Sequence, residues 1–309
     1  MHFFILGGTG FIGNHLAHYL AGQGHRLSLL VRSQAKSAGL PKSGHFISGD
    51  PTSPGSWQKE AAQADVLVNL VGKSIMTRWT EQEKEAILNT RVQATAMAVQ
   101  ALGLAAAAPP CLINANAVGY YPSDGAVYDE SGPADDTFLA RVCSAWQDEA
   151  SKATELGART VILRIAPVLG SDGGMLQSIL PIFRLGLGGR IGSGKQGFPW
   201  IHVRDLVRAV EFLARHQDIH GPVNACAPKV IDNAGFTQAL GRALRRPTVL
   251  PVPAIALKAA FGEMAQMLLQ APKVEPRALL DAAFQFDFPR IEQALEDVLA
   301  SRAAAASAE

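Results

Sequence analysis

The chain opens His2-Phe3-Phe4-Ile5-Leu6-Gly7-Gly8-Thr9-Gly10-Phe11-Ile12-Gly13. A short apolar run leads straight into a glycine turn, and Phe11, Ile12, Leu16 and Leu20 then follow a helical period. The stretch reads as a buried strand, a tight turn and the start of a helix, which together make a dinucleotide-binding fingerprint. Gly7 permits the turn, Gly10 leaves no Cβ between the backbone and a pyrophosphate, and Gly13 lets the helix pack closely on the sheet. Free N–H groups at the helix start then face the anion. Gly7, Gly10, Phe11, Ile12 and Gly13 are therefore candidate cofactor residues.

The next strand, read over His25 to Ser33, selects the dinucleotide. It ends in Val31-Arg32-Ser33, close to where an NAD site carries an acidic residue for the ribose 2′-hydroxyl. No Asp or Glu stands there. A guanidinium at that position suits a 2′-phosphate through a forked, charge-assisted contact, with Ser33 and Lys36 as further donors. NADP(H) is the expected cofactor. Gly44 to Asp50 reads as a third strand whose terminal Asp50 is placed to meet the adenine edge. Asp65 to Gly72 is a continuous apolar run of the kind buried on both faces of a parallel sheet, and its end, Leu70-Val71-Gly72, lies where such sheets bind ligands.

The chain of 309 residues is 48% hydrophobic, enough for a full core. Its 28 basic and 27 acidic side chains leave a formal charge of +1, which offers no footprint for nucleic acid or an anionic membrane. Arg242, Arg245 and Arg246 read as the solvated end of a helix. Cys111, Cys143 and Cys226 stand singly, against a disulfide framework or zinc site, and a reducing, cytoplasmic setting is expected. The first apolar run is cut by Gly7 and Gly8 and has no basic leader, so it reads as a strand and not a signal peptide. No stretch approaches membrane-spanning length, and the eight histidines form no metal-ligand set.

Further strands are expected at Cys111–Ala115 and Thr160–Ile165. The expected helices are a short one from Trp57 to Ala64, a long one that starts at the capping box Thr80-Glu81-Gln82-Glu83 and is ended by Pro109 and Pro110, and one from Phe138 to Glu155. The alternation is that of a Rossmann-type, doubly wound parallel sheet in the α/β class, with a smaller, mostly helical C-terminal substrate lobe. The expected division is a dinucleotide-binding domain over 1–228, with 170–200 contributing to the substrate lobe, a helical module over 229–300, and a frayed tail over 301–309. Val203 to Arg215 and Val223 to Ala225 are allowed to return to the main sheet.

These residues resemble an extended short-chain dehydrogenase/reductase of the NAD-dependent epimerase/dehydratase kind over nearly the whole chain. Gly7 to Gly13 is its GxxGxxG, Asn69 to Gly72 its fourth-strand motif, Arg164 to Gly170 its sixth-strand motif and Trp200 to Leu206 its V-x-V-x-D segment. Arg78-Trp79-Thr80-Glu81, Gly119-Tyr120-Tyr121 and the stretch from Pro251 to Leu299 are similar to an atypical "epimerase family" branch with a C-terminal module of unknown role. The resemblance implies an NADP(H)-dependent oxidoreductase or nucleotide-sugar epimerase, with a carbonyl compound or nucleotide sugar as substrate. It also implies Pro167 and Val168 near the cofactor, and a homodimer formed through the helices at Thr80–Leu104 and Phe138–Glu155.

The resemblance breaks where the family keeps its acid and base. The helix that would carry YxxxK has Cys143 in the tyrosine place and Gln147 in the lysine place, and Asn116 stands in the serine place. Gln147 has no charge to stabilise a phenolate. Asn116, Tyr120 and Tyr121 are the candidate catalytic residues, the two tyrosines either as replacement acids or as pocket walls. Arg91, four residues before Thr95, is a candidate cofactor contact, with Glu85 placed to orient its guanidinium or a ribose hydroxyl. Gly173, Gly174, Met175, Lys195, Gln196, Trp200 and His202 are candidates to close over a substrate, although Met175 and Trp200 also suit a core. A protein that binds NADPH without turnover is the alternative reading.

Overall fold

A computed structural model describes residues 1–33 and 39–306. Lys36 therefore lies outside the described residues. Seven parallel strands form the central sheet in the order β10-β7-β5-β4-β1-β2-β3. They are β1 (His2–Leu6), β2 (Arg26–Val31), β3 (His45–Ser48), β4 (Val66–Asn69), β5 (Cys111–Ala117), β7 (Thr160–Ile165) and β10 (Gly221–Ala225). Two short pairs stand outside it, with β6 (Val127–Tyr128) against β11 (Lys273–Val274) and β8 (Val168–Leu169) against β9 (Ile201–His202).

Successive residues of β1 serve opposite faces, as the two-residue period of a strand requires. Phe3 and Ile5 join one buried cluster with Leu16 and Leu20 of α1 (Phe11–Gly22) and Leu206 and Val210 of α6 (Val203–Arg215). Phe4 and Leu6 join the other with Trp57 of α2 (Trp57–Ala61), Ala98 and Ala101 of α3 (Glu81–Leu102) and Ala150 of α4 (Phe138–Ser151). A continuous apolar strand is thus explained by two covered faces. Thr80 caps α3 as its sequence signature predicts, its hydroxyl accepting from the Glu83 amide at 3.2 Å. The helix stops at Leu102, well before Pro109, and α4 tightens into a 3₁₀ turn over Lys152–Leu156 ended by Gly157 at φ +79°.

The C-terminal part is helical: α5 (Gly174–Arg184), α7 (Asn233–Leu244), α8 (Ala254–Phe261), α9 (Ala265–Leu269), α10 (Arg277–Asp281) and α11 (Ile291–Ala306). Leu176, Leu180, Trp200, Phe236, Leu240 and Leu295 give it a core of its own. The expected frayed tail is corrected over 301–306, where α11 continues. Alanine is the best helix former, so an Ala-rich stretch without apolar periodicity can still extend an existing helix.

Two buried polar clamps tie this part to the sheet. Asp205, fully buried at the start of α6, accepts from the backbone amides of Asp287 and Phe288 at 2.7 and 2.9 Å, while Arg208 bridges to Asp287 at 2.7 Å. Glu130 accepts from the amides of Asn224 in β10 and Ala278 in α10. At the opposite edge, Glu211 of α6 gathers Tyr19 Oη at 2.7 Å, His25 Nε2 at 2.9 Å and Arg215 Nη2 at 2.8 Å. Burial raises the Glu211 carboxyl, but the bonds from His25, Tyr19 and Arg215 outweigh it and bring the pKa from 4.5 to about 2. A depressed folded-state pKa gives stability that is complete above the unfolded value and lost as pH falls through the folded one. Glu211→Gln is expected to lose on the order of 1–2 kcal/mol at neutral pH, with the gap to wild type closing between pH 4.5 and about 2. Urea unfolding across that range checks this, and parallel curves would refute it.

Candidate functional site

The strand ends place the site. Leu6 lies beside Leu30 of β2 and Asn69 of β4, so the chain leaves the sheet at β1, β2 and β4 along one edge. The strand order reverses its direction of winding between β1 and β4, which opens a crevice for a ligand there. Gly7 turns at φ +83°, and a Cβ on it would press against the Leu70 carbonyl carbon at 3.0 Å. Gly13 packs so tightly that any Cβ would collide with the Gly7 carbonyl oxygen. Gly10 is different. It has an ordinary extended backbone, φ −79° and ψ 170°, and a Cβ would meet only the Gly7 oxygen at 3.4 Å. Gly10 also caps α1 without any side-chain hydrogen bond to the helix amides, and the first turn carries no acidic residue. An exposed glycine over the bare positive end of a twelve-residue helix fits a dinucleotide pyrophosphate.

Around that turn, Arg32 and Ser33 are exposed at the end of β2, whereas the Val31 side chain is buried in the core. Asp50 lies exposed beyond β3. Its carboxylate accepts from the amide and hydroxyl of Thr52, and these bonds, with the nearby charge of Arg32, hold its pKa below the usual range. Leu70, Val71 and Gly72 follow β4. Asn69 shapes this turn by accepting from the Val71 amide at 3.1 Å, while its own amide donates to Thr95 and Asn114. Trp146 of α4 donates to the same Thr95 hydroxyl. This buried network pins β4, β5, α3 and α4 to one another beneath the site.

Arg91 reaches the same edge. A Cβ on Gly72 would lie 3.0 Å from its Cζ, and its guanidinium sits 5.1 Å from the Trp146 ring while donating to the Ile87 carbonyl. Burial pushes its pKa down from the usual value. Glu85 does not orient it. The exposed Glu85 carboxylate accepts from Asn89, because six residues of helix put the two side chains about 120° apart around the axis. Pro167 is exposed just after β7, but Val168 is buried and paired with Ile201, so only its backbone can face a ligand. Phe11 is turned toward the loop after β8, where Cβ atoms on Gly170, Gly173 and Gly174 would all run into its ring or the backbone beneath it.

The three candidate catalytic residues separate. Asn116 is buried, with its amide donating to the Cys143 carbonyl at 2.9 Å and its oxygen accepting from the Ala117 amide at 2.7 Å. It fastens β5 to α4, so this catalytic candidate has its amide nitrogen and oxygen both engaged with backbone. Tyr121 is buried too, donating to Asn224 Oδ1 at 2.8 Å and accepting from Arg164 at 2.6 Å. Burial, against the pull of Arg164, lifts its phenol to about 12. Both roles of the Tyr121 hydroxyl, donor and acceptor, are thus taken up by the protein. Cys143 is buried, and burial raises its thiol to about 11. Tyr120 alone remains half-buried, lying 3.7 Å under the Arg164 guanidinium.

Arg164, part of the sixth-strand motif, is a further candidate that the fold brings to these residues. It is 2% exposed on β7, one strand in from the sheet edge, and donates to Tyr121, to the Glu130 carbonyl and to Gln147 Oε1 at 2.8 Å. Its Nε–H has no partner, and no carboxylate pairs with it among the described residues. The lysine place is thus filled by Gln147 bound to a cation from the neighbouring strand. An arginine inside an otherwise apolar parallel strand was the available signal. Of the residues proposed to close over a substrate, Gly173 and Gly174 rest on Phe11, and Trp200 is core. Gln196 donates to the Ile191 and Leu268 carbonyls. His202 caps α6 and stacks on Phe288, and burial lowers its pKa to about 4.

Comparison with known proteins agrees with this geometry. The profile of the NAD dependent epimerase/dehydratase family matches residues 3–226, and that of a domain of unknown function matches residues 252–298. The mouse epimerase family protein SDR39U1 is 37% identical over 306 residues, covering 97% of this chain and 100% of the mouse protein. An Arabidopsis thaliana homologue named as chloroplastic is 36% identical over 298 residues, covering 96% of this chain and 86% of its own, so kinship does not tie the chain to the cytoplasm. No helix among the described residues is long and apolar enough to cross a membrane. The crystal structure of human SDR39U1 isoform 2 with NADPH superposes with a TM-score of 0.83 at 35% identity, covering 96% of this chain and 99% of that one. With the glycine turn, the sheet order and matches of this length in agreement, the chain belongs to the NAD dependent epimerase/dehydratase family.

Proposed function

We propose that this protein is an NADP(H)-dependent oxidoreductase or epimerase acting on a small carbonyl compound or a nucleotide sugar. The observation that carries the reading is the glycine turn at the winding reversal of the sheet, with Arg32 and no acidic residue at the end of β2. The NADPH in the similar human protein supports the choice of cofactor. The Gly7–Gly13 turn and the α1 amides would hold the pyrophosphate, Arg32 and Ser33 the 2′-phosphate, and Gly72 with Arg91 the middle of the dinucleotide. When bound, the cofactor supplies the hydride. Tyr120 is the phenol left to hold or pass a proton, since Tyr121 is lifted to about 12 and tied to Arg164 and Asn224. Arg164 brings the positive charge that Gln147 lacks, from the sheet and not from the helix.

Cofactor choice is the sharpest test. Arg32→Ala is expected to weaken NADPH binding by roughly 10- to 100-fold, about 1.5–3 kcal/mol for a charge-assisted fork, and to leave NADH nearly unchanged. Calorimetry with both dinucleotides reads this, and equal affinity of the wild type for both would sink the assignment. Turnover is read as NADPH oxidation against panels of carbonyl compounds and nucleotide sugars.

A further inference from the structure

The near-neutral total charge conceals a local concentration. Residues 173–201 and 233–262 contain no Asp or Glu, yet they carry Arg184, Arg190, Arg245, Arg246 and Lys258, all exposed. The tertiary structure brings the two stretches together. Arg246 Nε donates to the Arg184 carbonyl, the Val252 amide to the Arg190 carbonyl and the Gly192 amide to the Val252 carbonyl. On the same joined surface stand large aliphatic side chains almost free of protein contact: Leu185 is 74% exposed, Val249 81% and Ile255 79%, with Leu187 and Leu250 also exposed. The surface ends at Arg242, which lies 4.0 Å from Glu292 of α11.

We infer that this face docks on an anionic lipid surface. Soluble chains do not normally leave several protruding aliphatics next to one another, and a patch of this kind marks an interaction site. Two features favour a bilayer over a protein partner. The apolar residues project from loops and from the outer side of α8, as wedges that enter an interface do, whereas a groove for a helix would recess them. The cations beside them are not neutralised by acidic neighbours within these stretches, which matches the negative potential of anionic headgroups. Burial of the aliphatics and attraction of the arginines would then act in the same place. None of the residues proposed to hold the cofactor, from the Gly7–Gly13 turn to Arg32, Ser33, Gly72 and Arg91, belongs to these two stretches.

Cosedimentation with vesicles of phosphatidylcholine, with and without phosphatidylglycerol, tests the inference on the full chain. The wild type is expected to partition onto the anionic vesicles and to be released by salt. A triple variant, Leu185→Ser with Val249→Ser and Ile255→Ser, and a charge variant, Arg184→Gln with Arg245→Gln and Arg246→Gln, should each lower partitioning by about tenfold or more. Unchanged NADPH affinity identifies the variants as folded, and the two act independently should one fail to fold. The inference is overturned if the wild type binds anionic vesicles no better than neutral ones, or if both variants bind as it does. It is also overturned if light scattering finds a wild-type dimer that the triple variant dissociates while neither binds vesicles, which would make the face a contact between copies of the chain.

Discussion

Gly10→Val is expected to abolish NADPH binding while leaving the protein folded. The two halves of that result come from the same geometry. Among protein atoms a Cβ at position 10 meets only the Gly7 oxygen at 3.4 Å, and the backbone there is extended at φ −79°, which any L-residue adopts. The valine side chain therefore has room in the protein and takes it from the pyrophosphate, which must approach the backbone at this point. A loss of at least about a hundredfold in affinity, on the order of 3 kcal/mol, is expected by calorimetry. Gly13→Val is the contrast. Its Cβ would strike the Gly7 carbonyl whether or not a ligand is present, so that variant should lose folding stability first. A folded Gly10→Val protein with wild-type affinity would show that the turn is no phosphate cradle.

Loss of Arg164 should produce the largest change in stability. Arg164→Met removes donors to the Tyr121 hydroxyl, the Glu130 carbonyl and Gln147 Oε1 in a place closed to water. Replacing a buried ion pair whole is often harmless, but removing one member alone leaves its partners unsatisfied. With acceptors stranded at about 1–3 kcal/mol each and partial relief from relaxation, a net cost of about 2–4 kcal/mol is expected in urea unfolding. Arg164→Lys keeps the charge but cannot span partners on two loops and a helix, so it should fall between wild type and the methionine variant. A change under about 0.5 kcal/mol for the methionine variant would remove Arg164 from the centre of the fold's polar framework.

The glycine turn, the buried strand before it, the Thr80 cap and the basic end of β2 were all legible in the chain. Each depends on a few consecutive residues, whose periodicity and backbone freedom act over one turn or one strand. The catalytic candidates were legible only as places in a pattern. Asn116, Tyr120 and Tyr121 are close in sequence, yet one is bound to the backbone of α4, one is locked to β7 and β10, and one lies half-buried under the Arg164 guanidinium. Glu85 and Arg91 share a helix but not a face.

Local pattern therefore fixed the elements, their order and the cofactor class, because strand period, glycine freedom and capping are properties of short segments. Folding fixed which side chains meet. Arg164 finds Tyr121 at a separation of 43 residues, Glu130 finds Ala278 at 148, and Arg246 finds Arg184 at 62. Such pairings depend on which strands the crossovers make neighbours, and no window of residues contains them. Composition shows only a near-neutral total charge of +1, while a basic, apolar face arises when two acid-free stretches are brought side by side.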